Sequence, residues 1–347
     1  MAESTMRAVV MAAPGPPDVL RIEARPRPVP GPHEVRVRVA ASGLNRADLL
    51  QRRGRYPAPP GVPADILGLE YSGVVDAVGE RVGQWSSGDR VMGLVGGGGY
   101  AEAVVVHEDE VLPIPDAVET VDGASLPEAF LTAWDAMVLQ MGLAAGETVL
   151  IHAVGSGVGT AAVQLAALTG ARVLGTSRTP DKLRRANDLG LDEAIPGGEA
   201  AWAEVVLERT GGRGVDVIVD LVGGAYLEGN LACVAPRGRI VVVGMPSGSV
   251  APIDLRALMR RRASLTGTVL RARSAVEKRA LIHEARRRLL PAMRTGRLRP
   301  VVHRHFAAKD VVQAHRAMED NSNFGTMTLV WGCLLYTSDA ADDYFWV

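Results

Sequence analysis

The sequence predicts an α/β protein with two textures, a β-rich region early in the chain and a doubly wound parallel sheet in its middle. Three observations carry this. Short extended runs fill residues 6–121, and in "HEVRVRVAAS" Val35, Val37 and Val39 alternate with Arg36 and Arg38, the period-2 pattern of a strand with one buried face. From about residue 127, four mostly apolar runs, "TVLIHAV", "ARVLGTS", "VDVIVDLV" and "GRIVVVGM", are separated by helix-like segments. Continuously apolar strands divided by helices indicate a parallel sheet covered on both faces.

The right-handed crossover rule leaves a Rossmann-type arrangement as the leading topology of that middle region. A chain of 347 residues with 47% hydrophobic content is long enough for two domains and has the composition of a globular core. Its 39 glycines and 21 prolines fall between apolar runs and punctuate the fold, with no repeat. The formal charge of -1 gives no electrostatic case for nucleic acid or an anionic membrane as partner. The arginine runs at 260–262 and 286–288 read as solvated helix faces. Two cysteines, Cys233 and Cys333, make no disulfide framework and suit a reducing cytoplasm. The start lacks the apolar stretch of a secretory signal, and no run of about 18 apolar residues suggests a spanning helix.

Within the first region, "GLNRADLLQRRGRY" predicts a short helix from Asn45 that ends at Gly54, and the following "PAPPG" stops it. "EAFLTAWDAMVLQMG" has helical spacing and opens the middle region. Beyond residue 267, "SAVEKRALIHEARRRLLPAMRTG" predicts one long helix, "RPVVHRHFAAKDVVQAHRAMED" a strand, linker and helix, and "GTMTLV" a last strand. This segment either stands alone or pairs back onto the first region. The boundaries read from these shifts are 6–127, 128–266 and 267–330. Residues 331–347, "WGCLLYTSDAADDYFWV", break the pattern and resemble translated adapter or read-through sequence; a genuine extension is the alternative.

The chemistry begins in "ETVLIHAVGSGVGTAAVQ". After the strand, Gly155, Ser156, Gly157, Val158 and Gly159 form a turn into a small-residue helix, where missing Cβ atoms and unpaired amides admit a diphosphate. In the G-x-G-x-x-G register, Val154 and Ser156 replace the first two glycines, so a ligand-free turn is the competing reading. At the end of the next strand, Ser177, Arg178 and Lys182 suit a ribose 2'-phosphate better than a bare hydroxyl. Asp181 opposes this, yet Thr179, Pro180 and Asp181 have the order of a cap and first helical turn. Gly223, Gly224 and Gly244 close later strands at the edge where such sheets bind ligands. Simple turn duty is the alternative.

No metal ligand set is legible: the first region has no cysteine, and His33, His107, Glu70 and Asp89 are scattered. No G-x-S-x-G elbow exists, and Cys233 reads as a small buried apolar residue. Chemistry carried by a cofactor remains.

The runs "LNRADLLQRRGRYP", "ILGLEYSGVV", "VGERVGQWSSGDRVMGL", "GGYAEAVVV", "FLTAWDAM" and "VLIHAVGSGVGTAAVQLA" together resemble the zinc-free quinone oxidoreductases of the medium-chain dehydrogenase/reductase superfamily, especially the branch of the p53-inducible quinone oxidoreductase. The resemblance spans residues 6–330. It implies a GroES-like catalytic domain built from both chain ends, an inserted Rossmann domain, NADPH in the cleft between them, and homodimers joined through their Rossmann sheets. It further implies that Asn45 and Thr132 lie beside the nicotinamide and that Tyr56 stands at the substrate opening. Two departures stand out: "AIPGG" replaces an Asn-Tyr pair whose tyrosine holds the 2'-phosphate, and Thr326 replaces a lysine after glycine.

The implied activity is NADPH-dependent reduction of ortho- or para-quinones without metal. The rival acceptors are enones and alkenals, whose activated double bond suits the same geometry. A crystallin-like structural role or RNA binding is the rival of another class; the neutral charge and lack of a basic-aromatic pattern oppose it.

Overall fold

The computed structural model describes residues 5–198 and 201–332. Thr5–Met11 (β1) and Leu20–Pro26 (β2) pair as an antiparallel ribbon. Glu34–Leu44 (β3) follows, with Val35, Val37 and Val39 buried, while Arg36 turns to Asp76 at 2.8 Å. Arg46–Arg52 (α1) starts after Asn45 and stops just before Gly54. Glu70–Val78 (β4), Arg90–Leu94 (β5), Ala103–His107 (β6) and Val111–Pro113 (β7) complete the first region.

Pro127–Trp134 (α2) runs into a π-helical turn at Asp135–Gln140. Strands and helices then alternate: Thr148–Ile151 (β8), Gly157–Thr169 (α3), Arg172–Ser177 (β9), Pro180–Asn187 (α4), Glu193–Pro196 (β10), Trp202–Arg209 (α5), Val215–Asp220 (β11), Leu227–Cys233 (α6), Val234–Val242 (β12), Leu255–Arg261 (α7) and Ser264–Gly267 (β13). The six strands form one parallel sheet in the order β10-β9-β8-β11-β12-β13. Both faces are covered. Val149 and Ile151 of β8 point into the core under α2 and α3, and the intervening Leu150 points into the opposite core with Trp202 and Val206 of α5.

Ala275–Arg288 (α8), Leu290–Arg294 (α9), Val302–Ala307 (β14), Val311–Glu319 (α10) and Thr326–Val330 (β15) end the fold. β15 pairs antiparallel with β3, so the last segment completes the first sheet, ordered β14-β15-β3-β4-β5-β7 with β6 also on β3. The protein is therefore an α/β fold in which a parallel doubly wound sheet interrupts a mainly antiparallel one. Three details differ from the sequence pattern. The parallel sheet gains β10 and β13, both four residues long and too brief to announce themselves by periodicity. The expected long helix is broken between α8 and α9, where Pro291 lies in the first turn of α9 and supplies no amide to continue the ladder. No helix among the described residues is long and apolar enough to cross a membrane.

Trp331, where the sequence pattern starts its foreign tail, is 6% exposed, and its indole nitrogen donates to Ser42 Oγ at 2.9 Å. Residues 333–347, with Cys333, lie outside the described residues. Trp331→Ala opens space in the β3–β15 core and deprives Ser42 of its donor. The expected cost is about 3–5 kcal/mol, measured by urea unfolding; a loss below about 1 kcal/mol would show that the indole does not belong to the folding unit.

Candidate active site

The turn between β8 and α3 sits at the carboxyl edge of the parallel sheet. Ser156 is the N-cap: its hydroxyl accepts from Gly159 N at 3.0 Å and donates to Ala153 O at 2.9 Å. Among the described residues, the amide of Val158 has no acceptor, while that of Gly157 faces Gly325 O across an isolated parallel bridge. One free donor thus stands at the positive end of a 13-residue helix, which is the physical basis of anion binding there. The glycines matter through contact distance. Ala153 takes the left-handed conformation, φ 51°. A Cβ on Gly159 would lie 2.3 Å from Ala153 O, and one on Gly155 would lie 2.6 Å from Lys182 Cδ.

At the end of β9, Ser177 Oγ accepts from Thr179 N at 3.2 Å, and Arg178 is exposed. Thr179 occupies the N-cap of α4, but its hydroxyl makes no capping bond; Asp181 pairs instead with Arg184. Lys182 folds back over Gly155 and donates to Asn321 O. Arg46, unmarked in the sequence pattern, joins this group by donating to Asn321 Oδ1 at 2.6 Å. Burial, then Arg178, Arg46 and Arg185, push the Lys182 ammonium below its usual range. Among the described residues, none of these four cations has a carboxylate partner.

The place of the missing Asn-Tyr pair is filled from another element. Tyr226 Oη accepts from Gly198 N at 3.0 Å, beyond β10. Its ring stacks on Trp202 at 5.0 Å and meets His152 edge-on at 4.7 Å. His152 is fully buried, bonded to Thr176 Oγ1 at 2.9 Å and Asn230 Oδ1 at 2.8 Å, and Asn230 donates to Asp220. Burial lowers the His152 pKa. The other Asp220 oxygen receives the amides of Val222 and Gly223, each at 2.8 Å. Gly223 has φ 87°, and a Cβ there would lie 2.5 Å from Met245 Cα, so no other residue fits without displacing the backbone. Gly244 lies beside the same loop, its hypothetical Cβ 3.2 Å from Leu221 O.

The cleft between the two sheets holds the remaining candidates. Asn45 donates through Nδ2 to Glu70 Oε1 at 2.8 Å, and its amide donates to Asp48 Oδ2 at the same distance. Glu70 Oε2 accepts from Glu128 N at 2.8 Å. Thr132, one turn after Glu128, is 8% exposed; its hydroxyl makes no hydrogen bond of good geometry but lies close enough to the Glu128 carboxyl to oppose that group's upward shift. Burial raises the Asp48 carboxyl to about 6. Burial, reinforced by Asp48, raises Glu128 to about 7. Burial, reinforced by Glu128, holds Glu70 well above the carboxylate range. Tyr56 lies in an irregular loop with its ring under the Arg271 guanidinium, 5.0 Å from the centroid. Burial raises its phenol pKa, and Arg271 opposes the shift.

His33 and His107 do come together, as stacked rings 5.9 Å apart, with Glu108 3.5 Å from His33. Among the described residues, no group of three or more histidine, cysteine or acidic side chains could hold a metal ion. The Cys233 thiol is buried and pushed up to about 12, outside nucleophilic range.

This architecture is that of a dinucleotide-dependent oxidoreductase. Residues 31–116 match the family model for the alcohol dehydrogenase GroES-like domain, and residues 157–284 match that for zinc-binding dehydrogenases. The quinone oxidoreductase of Pseudomonas aeruginosa is 34% identical, with 93% of this chain and 99% of that protein covered. Among solved structures, an NAD-dependent alcohol dehydrogenase superposes with a TM-score of 0.86 at 36% identity, covering 94% of this chain and all of the other. A mycobacterial protein crystallised with NADPH gives 0.85 at 31%, with 94% of this chain covered and 100% of its own. The chain belongs to the medium-chain dehydrogenase/reductase superfamily, with quinone oxidoreductases as its relatives. It is an oxidoreductase of a family that binds nicotinamide cofactors and acts on small molecules.

The two tight glycines respond differently to substitution. Gly159→Ala drives a methyl group against backbone, so stability should fall by about 1–3 kcal/mol and dinucleotide binding should be lost. Gly155→Ala meets only a flexible lysine chain and should keep wild-type stability. Urea unfolding and calorimetric titration with NADPH check both; equal behaviour of the two variants would remove the packing argument for the turn.

Proposed function

We propose that the protein is an NADPH-dependent quinone reductase that works without a metal. The observation that carries the reading is the group of four cations, Arg46, Arg178, Lys182 and Arg185, none with an ion-paired carboxylate among the described residues, beside the free amide of Val158. Such an arrangement suits two separate anionic groups, a diphosphate and a ribose phosphate. The Thr132 hydroxyl, beside the Glu128 carboxyl, fits a ribose hydroxyl in the cleft. In this reading, residues 155–159 hold the diphosphate, Ser177, Arg178 and Lys182 the 2'-phosphate, and Gly223 and Gly244 allow close approach of the ligand. NADPH bound there supplies the hydride.

The chain's own groups do the rest. Asn45, fixed by Glu70, presents its remaining amide hydrogen to the acceptor oxygen. Tyr56, a phenol protonated at neutral pH whose pKa burial raises further, donates to the oxygen that gains negative charge. Both oxygens of Glu70 are already occupied, by Asn45 and the Glu128 amide, which leaves the cleft without an open carboxylate cage for a metal. Solvent returns the proton to the reduced oxygen.

A second copy of the chain covers the outer edge of β13. Among the described residues that strand pairs only with β12, and Leu265 on it and Val250, Leu255 and Met259 in the segment leading to it are exposed. An open edge with apolar neighbours is a surface that proteins normally cover.

Calorimetry should show NADPH binding at least about tenfold tighter than NADH, a difference of about 1.4 kcal/mol. Arg178→Ala combined with Lys182→Ala should bring the two affinities together. Equal affinities in the wild type would end the 2'-phosphate assignment. Turnover with naphthoquinone, phenanthrenequinone and small enones should favour the quinones; dominant enone activity would instead assign a double-bond reductase. For the assembly, light scattering after gel filtration should give twice the chain mass for the wild type and one chain mass for Leu265→Asp. A monomeric wild type would refute the β13 interface.

A further inference from the structure

The segment "LRAR", Leu270 to Arg273, leaves the end of β13 and sends its two arginines in different directions. Arg273 turns to α2 and its π-helical extension: Nη2 donates to Asp135 Oδ2 at 2.6 Å and to Thr268 Oγ1 at 3.1 Å. Asp135 is 3% exposed, and Gln140 Nε2 bonds both Asp135 and Thr268 at 2.6 Å. The segment is thus anchored to the helix that carries Thr132.

Arg271 crosses to the other sheet. It is 7% exposed. Its Nε donates to Gly96 O at 2.7 Å, Nη2 to Gln51 Oε1 at 2.6 Å, and Nη1 to Tyr56 O at 3.4 Å, with the guanidinium 5.0 Å from the Tyr56 ring centroid. The loop at residues 56–64 holds its own backbone only through a single turn at Pro60–Gly61. Among the described residues, its side-chain ties to the rest of the fold are the Arg271 bond to Tyr56 O and the bond from Gln51 Nε2 to Ala64 O, at 3.2 Å. Gln51 is itself held by Arg271. One planar fork therefore anchors a proline-rich loop that has little internal means of holding its shape.

We infer that Arg271 is the positioning residue for Tyr56, fixing the phenol that meets the acceptor oxygen. Lysine cannot replace it, because an ammonium is a point donor and the three carbonyl acceptors lie around a plane. Asp48 and Glu128 face the same guanidinium and hold its charge in the cleft against the cost of burial. The kinetic part of the inference rests on the quinone reductase reading; the positional part does not.

The test uses the full chain with 3-fluorotyrosine incorporated, the Tyr56 fluorine signal being assigned by Tyr56→Phe. In Arg271→Met without any ligand, that signal should move toward the free-tyrosine position and sharpen. Arg271→Lys, which keeps the charge and folds if the methionine variant does not, should fall between. An unmoved Tyr56 signal in a folded variant overturns the inference, whatever the enzyme reduces. With quinone, Arg271→Met should lower kcat/KM about tenfold with the loss appearing in kcat, because the phenol it displaces is the donor to the oxygen that gains negative charge. In a Tyr56→Ala background the same substitution should change kcat/KM by less than about twofold, since coupled residues are not additive. Additive effects would mean that Arg271 acts elsewhere, and that also overturns it. Failure of the wild type to reduce any quinone, with the fluorine shift intact, would sink the reductase reading alone.

Discussion

The hydrogen bond from Gly325 N to Gly155 O, 2.9 Å long, is the constraint on which the cleft depends. Gly155 belongs to the turn between β8 and α3 of the parallel sheet, and Gly325 immediately precedes β15, which pairs with β3 of the other sheet. The bond therefore sets how far the free amide at the start of α3 stands from Asn45, the residue that follows β3. Gly325 has φ 84°, and a Cβ there would come within 2.1 Å of Val301 O, so the chain returns through a point that only glycine passes. Ser156 pairs with Gly325 as an isolated bridge, and Asn323 Nδ2 seals the approach by donating to Gly325 O at 2.7 Å.

With that distance fixed, the cleft can bury charged groups in a defined order. Asp48 is held by Asn45 N, Gly68 N and the Tyr100 hydroxyl, and Glu70 by Asn45 and the Glu128 amide. Each donor lowers the cost of a carboxylate that burial makes unfavourable. Asn45 touches both acids, so its side chain is oriented twice, once through the backbone amide and once through Nδ2. A second buried network, from Thr176 through His152 and Asn230 to Asp220, holds the Gly223 loop in the same manner. Asp48, Glu70 and Asp220, at the centres of the two networks, are all hydrogen-bonded, whereas the Glu128 carboxyl has the nearby Thr132 hydroxyl as its neighbour.

The sequence exposes those parts whose cause is local. The β3 alternation, the α1 start at Asn45 and the order of strand, glycine turn and helix at residues 148–169 all follow from neighbours a few positions apart. β13 was hidden because its four residues, "SLTG", are mostly exposed and become a strand only by pairing with β12. The π-helical turn was hidden for a similar reason, since Asp135 meets its partner Arg273 across 138 positions of chain. Asn45, Tyr56 and Thr132 were visible only through resemblance. The structure brings Asn45 and Thr132 to the common cleft through Glu70 and Glu128, and Tyr56 to it through Arg271. Arg46 and Tyr226 had no signal at all: one is an ordinary first-turn arginine, the other a tyrosine 28 residues downstream of the loop it reaches.

The cation group has the opposite logic to the two networks. Lys182 and Arg46 are partly buried beside Arg178, and like charges together with burial lower both pKa values, so the folded chain is less stable with this surface empty than a neutral surface would make it. Carbonyl oxygens of Met318 and Asn321 give only partial compensation. An anion arriving here relieves repulsion as well as making new contacts, and the relief appears as binding energy. By mass action, a ligand at a hundred times its dissociation constant adds about 2.7 kcal/mol to stability. The local instability is thus maintained by the fold, through the Lys182 chain packed over Gly155 and the Asn321 carbonyl that holds its ammonium. The one bond from Lys182 Nζ to Asn321 O leaves two ammonium hydrogens free, so the side chain that anchors the return segment keeps donors for an incoming anion.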